Sequence, residues 1–157
     1  LLAKQMGLSD GECATAMSCG YYHDIGKMGI PDAILCKPSE LNAAEIKTMR
    51  SHSETGRDFL SQFPFVEEET TVAWCHHERM DGSGYPRGLV GKDLSIFAQI
   101  VMVADCYEVI RSGRSYRAAR SRDDTVREIQ KSAGVQLPAA VVNVLAAGLA
   151  DIDAMFI

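Results

Sequence analysis

From Ile96 to Ile110 the chain reads IFAQIVMVADCYEVI, fifteen residues in which only Gln99, Asp105 and Glu108 are clearly polar. By composition this could be a strand buried on both faces. Its length exceeds that of an ordinary strand and favours a helix from Ser95 or Ile96 to about Arg111. A helix that is apolar nearly all round has to be surrounded by other elements. No apolar run reaches the ~18 residues of a membrane-spanning helix, so the shell must come from the chain itself. A length of 157 residues suits one ordinary domain.

The rest of the chain reads as helix too. Ser9-Asp-Gly-Glu12 has capping-box spacing and predicts a helix over about 10–23, with Ala14, Met17, Tyr21 and Asp24 on one stripe. Gly26, Gly29 and Pro31 punctuate a loop that continues to about 41. Asn42-Ala-Ala-Glu45 is a second cap, followed by one periodic face through Ile46, Met49, His52 or Ser53, Gly56 and Phe59 or Leu60. Pro64 breaks the chain, and Glu67, Glu68 and Glu69 complement the dipole of a helix ending near His76-His77. Residues 78–95 carry four glycines and Pro86 and are expected to be a long loop, of a length that is usually functional or disordered. Ser121 starts a further helix with Gly134 as its C′ residue, and Pro138 is placed at N1 of a last helix to about Leu149. The expectation is an all-α bundle of about six helices.

Hydrophobic residues make up 46% and charged residues 24%, values of a globular chain rather than a disordered one. Sixteen Lys and Arg against 21 Asp and Glu give a charge of −5, which argues against a uniformly basic binder of nucleic acid polymers. The balance is uneven, because residues 111–122 hold five arginines and no acid. Five cysteines without a CxxC pattern read as reduced thiols and a cytoplasmic setting. The start at Leu1-Leu-Ala-Lys4 has no signal-peptide pattern and reads as the interior of a helix in a longer protein.

The chain has only four histidines: His23, His52, His76 and His77. His23-Asp24 and His76-His77 are adjacent pairs at expected helix ends, and Asp105 interrupts the apolar helix. A carboxylate in such a run is costly unless it is paired or holds a metal. Any one histidine is more often a hydrogen-bonded surface or core residue. Together, imidazoles and carboxylates make a donor set suited to Fe, Mn, Ni, Zn or Co. The two oxygens of an aspartate can bridge two ions, an arrangement that serves phosphoryl displacement. Spacing alone leaves both readings open, since the candidates lie on four segments.

The motifs are longer than these pairs. His23-Asp24-Ile25-Gly26-Lys27-Met28-Gly29-Ile30-Pro31-Asp32 resembles the HD motif of the HD-GYP family, and His76-His77-Glu78-Arg79-Met80-Asp81-Gly82-Ser83-Gly84-Tyr85-Pro86-Arg87-Gly88-Leu89 resembles its second signature. Met49-Arg50-Ser51-His52 lies between them, and Val103-Ala104-Asp105 and Arg114-Ser115-Tyr116-Arg117 resemble later blocks. The likeness covers residues 1–150 and leaves 151–157 as a tail.

The resemblance implies an HD-superfamily helical bundle with a long GYP loop, acting as a metal-dependent phosphodiesterase of the bacterial messenger cyclic di-GMP. It implies His23, Asp24, His52, His76, His77 and Asp105 as metal ligands, with Asp24 bridging two or three divalent ions, iron or manganese. A hydroxide between the metals would attack phosphorus and release linear pGpG or GMP. Asp24 and Lys27 would be catalytic, and Tyr85, Arg114 and Arg117 would shape the substrate groove. The family usually has a further His, often with a Glu before it, upstream of the segment matching Leu2-Ala3, so one ion is expected to be under-coordinated here. Glu108, Val109-Ile110, Gly113, Ser115 and Leu137-Pro138 also depart from the family pattern, near the groove.

The expected setting is a signalling protein with a sensor or receiver domain, or a GGDEF-type partner. Two rivals stand: a non-catalytic module that binds a cyclic dinucleotide or a protein, and an HD phosphohydrolase acting on another nucleotide.

Overall fold

A computed structural model of the chain describes residues 1–112 and 119–148. The α-helices are α1 (Leu2–Gln5), α2 (Asp10–Tyr22), α3 (Asp32–Leu35), α4 (Ala43–Arg50), α5 (His52–Leu60), α6 (Glu67–Cys75), α7 (Ile96–Ser112), α8 (Arg122–Gln130) and α9 (Ala139–Ala147). Two 3-10 turns, Ile25–Gly29 and Gly91–Asp93, complete the described elements. Among the described residues there is no strand, only the isolated bridges Asp81–Val90 and Ala133–Leu137.

The apolar run is the axis of the bundle, as its length requires. Ala98, Ile100, Val101, Met102 and Val103 of α7 are buried, and α2, α6, α8 and α9 all pack around it. Val72 and Cys75 of α6, Ile129 of α8 and Val141, Val142 and Leu145 of α9 fill the same core. Both expected capping boxes form: Ser9 with Glu12, and Asn42 with Glu45. Ser121 caps α8 by accepting from the Asp124 N–H. The three glutamates stand in the first turn of α6 as expected.

Several details differ from the sequence reading. The stripe on α2 faces outward: Ala14 is exposed, Met17 is 60% exposed and Tyr21 77% exposed. Ala16 and Cys19 are the buried residues of this helix, because small side chains let it lie close to α6 and α7. The helix expected after Asn42 is divided at Ser51, which ends α4 and precedes His52 at the start of α5. The loop over 26–41 contains a 3-10 turn and α3, and the loop over 78–95 contains a 3-10 turn of its own. α8 ends at Gln130 with Lys131 as its cap, so Gly134 (φ +78°) belongs to the following turn instead of being C′. Pro138 is the N-cap of α9 rather than N1. α9 ends at Ala147, and the tail 151–157 lies outside the described residues.

One contact fixes the relation of α2 to α5. The Ile25–Gly29 turn that follows α2 lies directly on the first turns of α5. A Cβ on Gly26 would sit 1.9 Å from the His52 carbonyl oxygen and 2.4 Å from the Gly56 nitrogen. Backbone approaches this close admit glycine alone. Gly26→Ala should therefore lower stability by about 3 kcal/mol, the upper range for forced overpacking. Gly20→Ala is the control, since a Cβ there meets nothing within 4 Å and alanine in a helix gains up to about 1 kcal/mol over glycine. Urea unfolding of the two variants checks both signs.

Candidate metal centre

Three helix ends deliver the histidines to one place. His23 caps the C-terminus of α2, His76 caps that of α6, and His52 opens α5. Each of these rings is anchored on a helix carbonyl three or four residues before it. Nδ1 of His23 lies 2.7 Å from the Gly20 carbonyl and Nδ1 of His52 2.7 Å from that of Met49. Nδ1 of His76 lies 3.2 and 3.1 Å from the carbonyls of Val72 and Ala73. A carbonyl only accepts, so each Nδ1 carries the hydrogen, and in the neutral ring Nε2 presents a lone pair.

Those lone pairs converge on Asp24. Its Oδ1 is 3.4 Å from Nε2 of His52 and 3.8 Å from Nε2 of His76. The two Nε2 atoms are themselves 3.4 Å apart. Oδ1 is buried and has no hydrogen-bond partner. Three acceptors thus face one another with no proton among them, a costly arrangement in a low dielectric that a cation at their centre would reverse. Asp24, His52, His76 and His77 each offer a ligand atom, and these atoms lie within 4.8 Å of one another. The donor set fits a divalent metal of the kind that imidazole and carboxylate hold.

The other oxygen of Asp24 looks elsewhere. Oδ2 is 3.2 Å from Nε2 of His23 and is paired with the Lys27 ammonium, which the 3-10 turn folds back onto it. Nε2 of His23 is also 3.9 Å from Oδ1 of Asp105 on α7. Asp24 therefore stands between two groups, one on each oxygen. Lys27 lies at the site, while Arg114 and Arg117 lie outside the described residues. Tyr85 stacks on the His77 ring at 4.7 Å between centroids and 26° between planes, and the Arg50 guanidinium lies 4.7 Å from the Tyr85 centroid.

The electrostatics match this division. Burial opposes ionisation of Asp24, but the hydrogen bonds and charges of His23 and Lys27 outweigh it and hold the carboxyl well below its usual range. Burial also opposes a charge on His23, yet Asp24, the Gly20 carbonyl and Asp105 push its pKa up. Burial lowers His52 and His77, and it pushes His76 down to about 3 with help from the neighbouring imidazoles. The inner histidines stay neutral, as metal ligands must.

This geometry has relatives. The family model described as "HD domain" matches residues 1–141. The chain belongs to the HD domain family. It is 37% identical over 155 residues to the cyclic di-GMP phosphodiesterase response regulator of Xanthomonas campestris, covering 98% of this chain and 41% of the relative. It is 38% identical over 135 residues to a cyclic di-GMP phosphodiesterase of Thermotoga maritima, covering 85% of this chain and 37% of that one. It is 33% identical over 132 residues to a 3′3′-cGAMP-specific phosphodiesterase of Vibrio cholerae, covering 84% and 29%. A solved cyclic GMP-AMP-specific phosphodiesterase of Vibrio cholerae superposes with a TM-score of 0.69 at 17% identity, over 94% of this chain and 41% of that one, and so shares the fold. The chain spans less than half the length of these relatives. The HD-GYP resemblance drawn from the two signatures holds.

The sequence reading of this HD domain overlooked Glu78. Its side chain is fully buried and accepts from the Arg87 N–H at 2.8 Å and the Leu89 N–H at 2.9 Å, closing the GYP loop on itself. Trp74, packed by Arg57 and Arg87 at 4.4 and 3.6 Å, was overlooked as well. A glutamate next to two histidines and before a glycine-rich stretch was the available signal. All five cysteines are free, and burial pushes the thiols of Cys19 and Cys75 up to about 12 and about 11.

Acid should expose the buried imidazoles. Burial pushes His76 down to about 3 in the fold, against about 6.5 when unfolded. Between these values the unfolded chain binds the extra proton, so stability falls as pH drops through that window, at up to about 1.4 kcal/mol per pH unit for each such histidine. The metal-free protein should lose stability from about pH 6.5 downward. In His76→Ala the slope should be shallower. Denaturant midpoints measured at a series of pH values check this, and an unchanged slope would contradict it.

Proposed function

We propose that this HD domain is a metal-dependent phosphodiesterase that hydrolyses cyclic di-GMP. The reading is carried by Asp24, whose buried Oδ1 faces His52 and His76 while Oδ2 faces His23 and Lys27. The names of the relatives select the substrate class. His52, His76, His77 and Asp24 would hold one divalent ion, with His23, Asp105 and the second oxygen of Asp24 holding another. Iron or manganese suits these ligands. Such ions supply Lewis-acid charge at the phosphate and acidify water near neutral pH.

The chain's own residues do the rest. Lys27, released from Asp24 when a cation takes its place there, would bind a non-bridging phosphate oxygen and offset the charge that grows on it. Arg114 and Arg117 would grip the second phosphate with planar forks. Tyr85, stacked on His77, forms a wall of the site. Addition of one water breaks one P–O3′ bond and leaves linear pGpG with a 5′-phosphate and a free 3′-hydroxyl; a second addition gives GMP. The relatives' extra length supports fusion to a receiver or sensor domain in a cytoplasmic signalling protein. No helix of the described residues is long and apolar enough to cross a membrane.

A second reading has its own support, because relatives in Vibrio cholerae are named for 3′3′-cGAMP. Turnover of both cyclic dinucleotides by Mn2+-loaded protein decides between them: cyclic di-GMP should be the better substrate. Binding of cyclic di-GMP without cleavage would favour a non-catalytic module instead. Asp24→Ala and His76→Ala should lose metal and activity together. Lys27→Ala should keep its metal and lose about 10²-fold in kcat, the scale of one charge-stabilising donor. Elemental analysis beside the rate assay separates the two outcomes.

A further inference from the structure

The four histidines are not held alike. His23, His52 and His76 each anchor Nδ1 on a helix carbonyl three or four residues upstream. The His77 ring makes no hydrogen bond among the described residues; the Tyr85 ring stacks on it at 4.7 Å and 26° instead. A ligand without an orienting partner is a weak ligand, because its ring must be ordered on binding. Tyr85 therefore takes the place that a carbonyl takes for the other three.

What holds Tyr85 is Glu78. The Tyr85 N–H donates to the His77 carbonyl at 3.2 Å, joining the two backbones. Gly84, just before it, lies so close that a Cβ would be 2.4 Å from the backbone of Glu78. Just after it, the buried Glu78 carboxylate accepts from the N–H groups of Arg87 and Leu89. The loop is thus tied on both sides of Tyr85 to the residue that follows His77.

We infer that Glu78 and Tyr85 are positioning residues for His77: Glu78 closes the loop, and the loop presses the Tyr85 ring against the imidazole to aim it at the metal group. This rests on the reading that Asp24, His52, His76 and His77 hold a metal. The signature tyrosine then acts first through a ligand, whatever it does with a nucleotide.

Mn2+ binding to the whole chain, followed calorimetrically, tests this. Tyr85→Leu keeps bulk but loses the planar face, and Glu78→Gln puts an amide donor opposite a backbone N–H. Each should raise the Mn2+ Kd by about tenfold, the lower end for an outer-shell partner. Tyr85→Phe, which keeps the ring, should stay within about twofold, the usual scatter of independent sites. In a His77→Ala background, Tyr85→Leu and Glu78→Gln should add no more than about twofold. A merely structural role would cost the same with or without His77, and that result overturns the inference.

If His77→Ala binds Mn2+ too weakly for the cycle, the imidazole NMR resonances of the metal-free protein decide. Glu78→Gln must move those of His77 more than those of His23, whose ring packs on His76 and not on His77; an unmoved His77 overturns the inference. Failure of the unsubstituted chain to bind Mn2+ overturns it too. Intact coupling of Mn2+ to Tyr85 with no hydrolysis of cyclic di-GMP counts against the proposed activity alone.

Discussion

The approach of Gly26 to the backbone of His52 and Gly56 is the constraint on which the site depends. The turn after α2 carries Asp24 and Lys27, and the start of α5 carries His52. Only with no side chain between them can Oδ1 of Asp24 come within 3.4 Å of the His52 imidazole. α6 then packs on both α2 and α5 and brings His76 and His77 to the same point. Packing against α7, whose Asp105 faces His23, closes the far side. The arrangement spends no long side chains on reach: Asp24 and the four histidines sit at or near helix ends, where the chain is already turning, and Asp105 comes from the middle of α7.

The same geometry explains why the group is poised for a cation. Helix carbonyls take the Nδ1 hydrogens, so the Nε2 lone pairs are left pointing inward. Burial keeps His52, His76 and His77 neutral. Lys27 and His23 keep Asp24 ionised. Neutral bases and one anion with an unpartnered buried oxygen form a destabilising set until a positive ion enters. The fold itself, through α7 and its neighbours, supplies the stability that lets this set persist.

What was legible in the sequence was mostly local or long-lived along the chain. The capping boxes form because each is decided within four residues. α7 was legible because fifteen residues with only three clearly polar among them leave few alternatives. The pairs His23-Asp24 and His76-His77 were legible as chemistry because adjacency multiplies ligand density at a helix end. The stripe on α2 misled, since Met17 and Tyr21 have the right spacing but are too bulky for the close face that Ala16 and Cys19 occupy. The break at Ser51 was invisible, because the periodic face runs on through it; the break exists to turn His52 inward, and that demand comes from another segment. The burial of Glu78 was hidden for a related reason. A glutamate is exposed by default, and its burial depends on two backbone N–H groups that only the folded loop presents.

Charge shows the same gap between average and place. A net −5 argues against an anionic ligand, but the groups around the site are cationic. Lys27 pairs with Asp24, Arg50 lies over Tyr85, and Arg79 hydrogen-bonds the Glu78 carbonyl beside His77. Further arginines follow α7 in sequence. Lys27 shares its charge with Asp24 and Arg120 with Glu128, while Arg50 lies on an aromatic face and Arg79 on a carbonyl. Cationic groups so placed concentrate field on an anion approaching the site even while the whole chain is acidic. Acidic groups also lie on exposed surface, among them Glu67 and Glu68 in the first turn of α6.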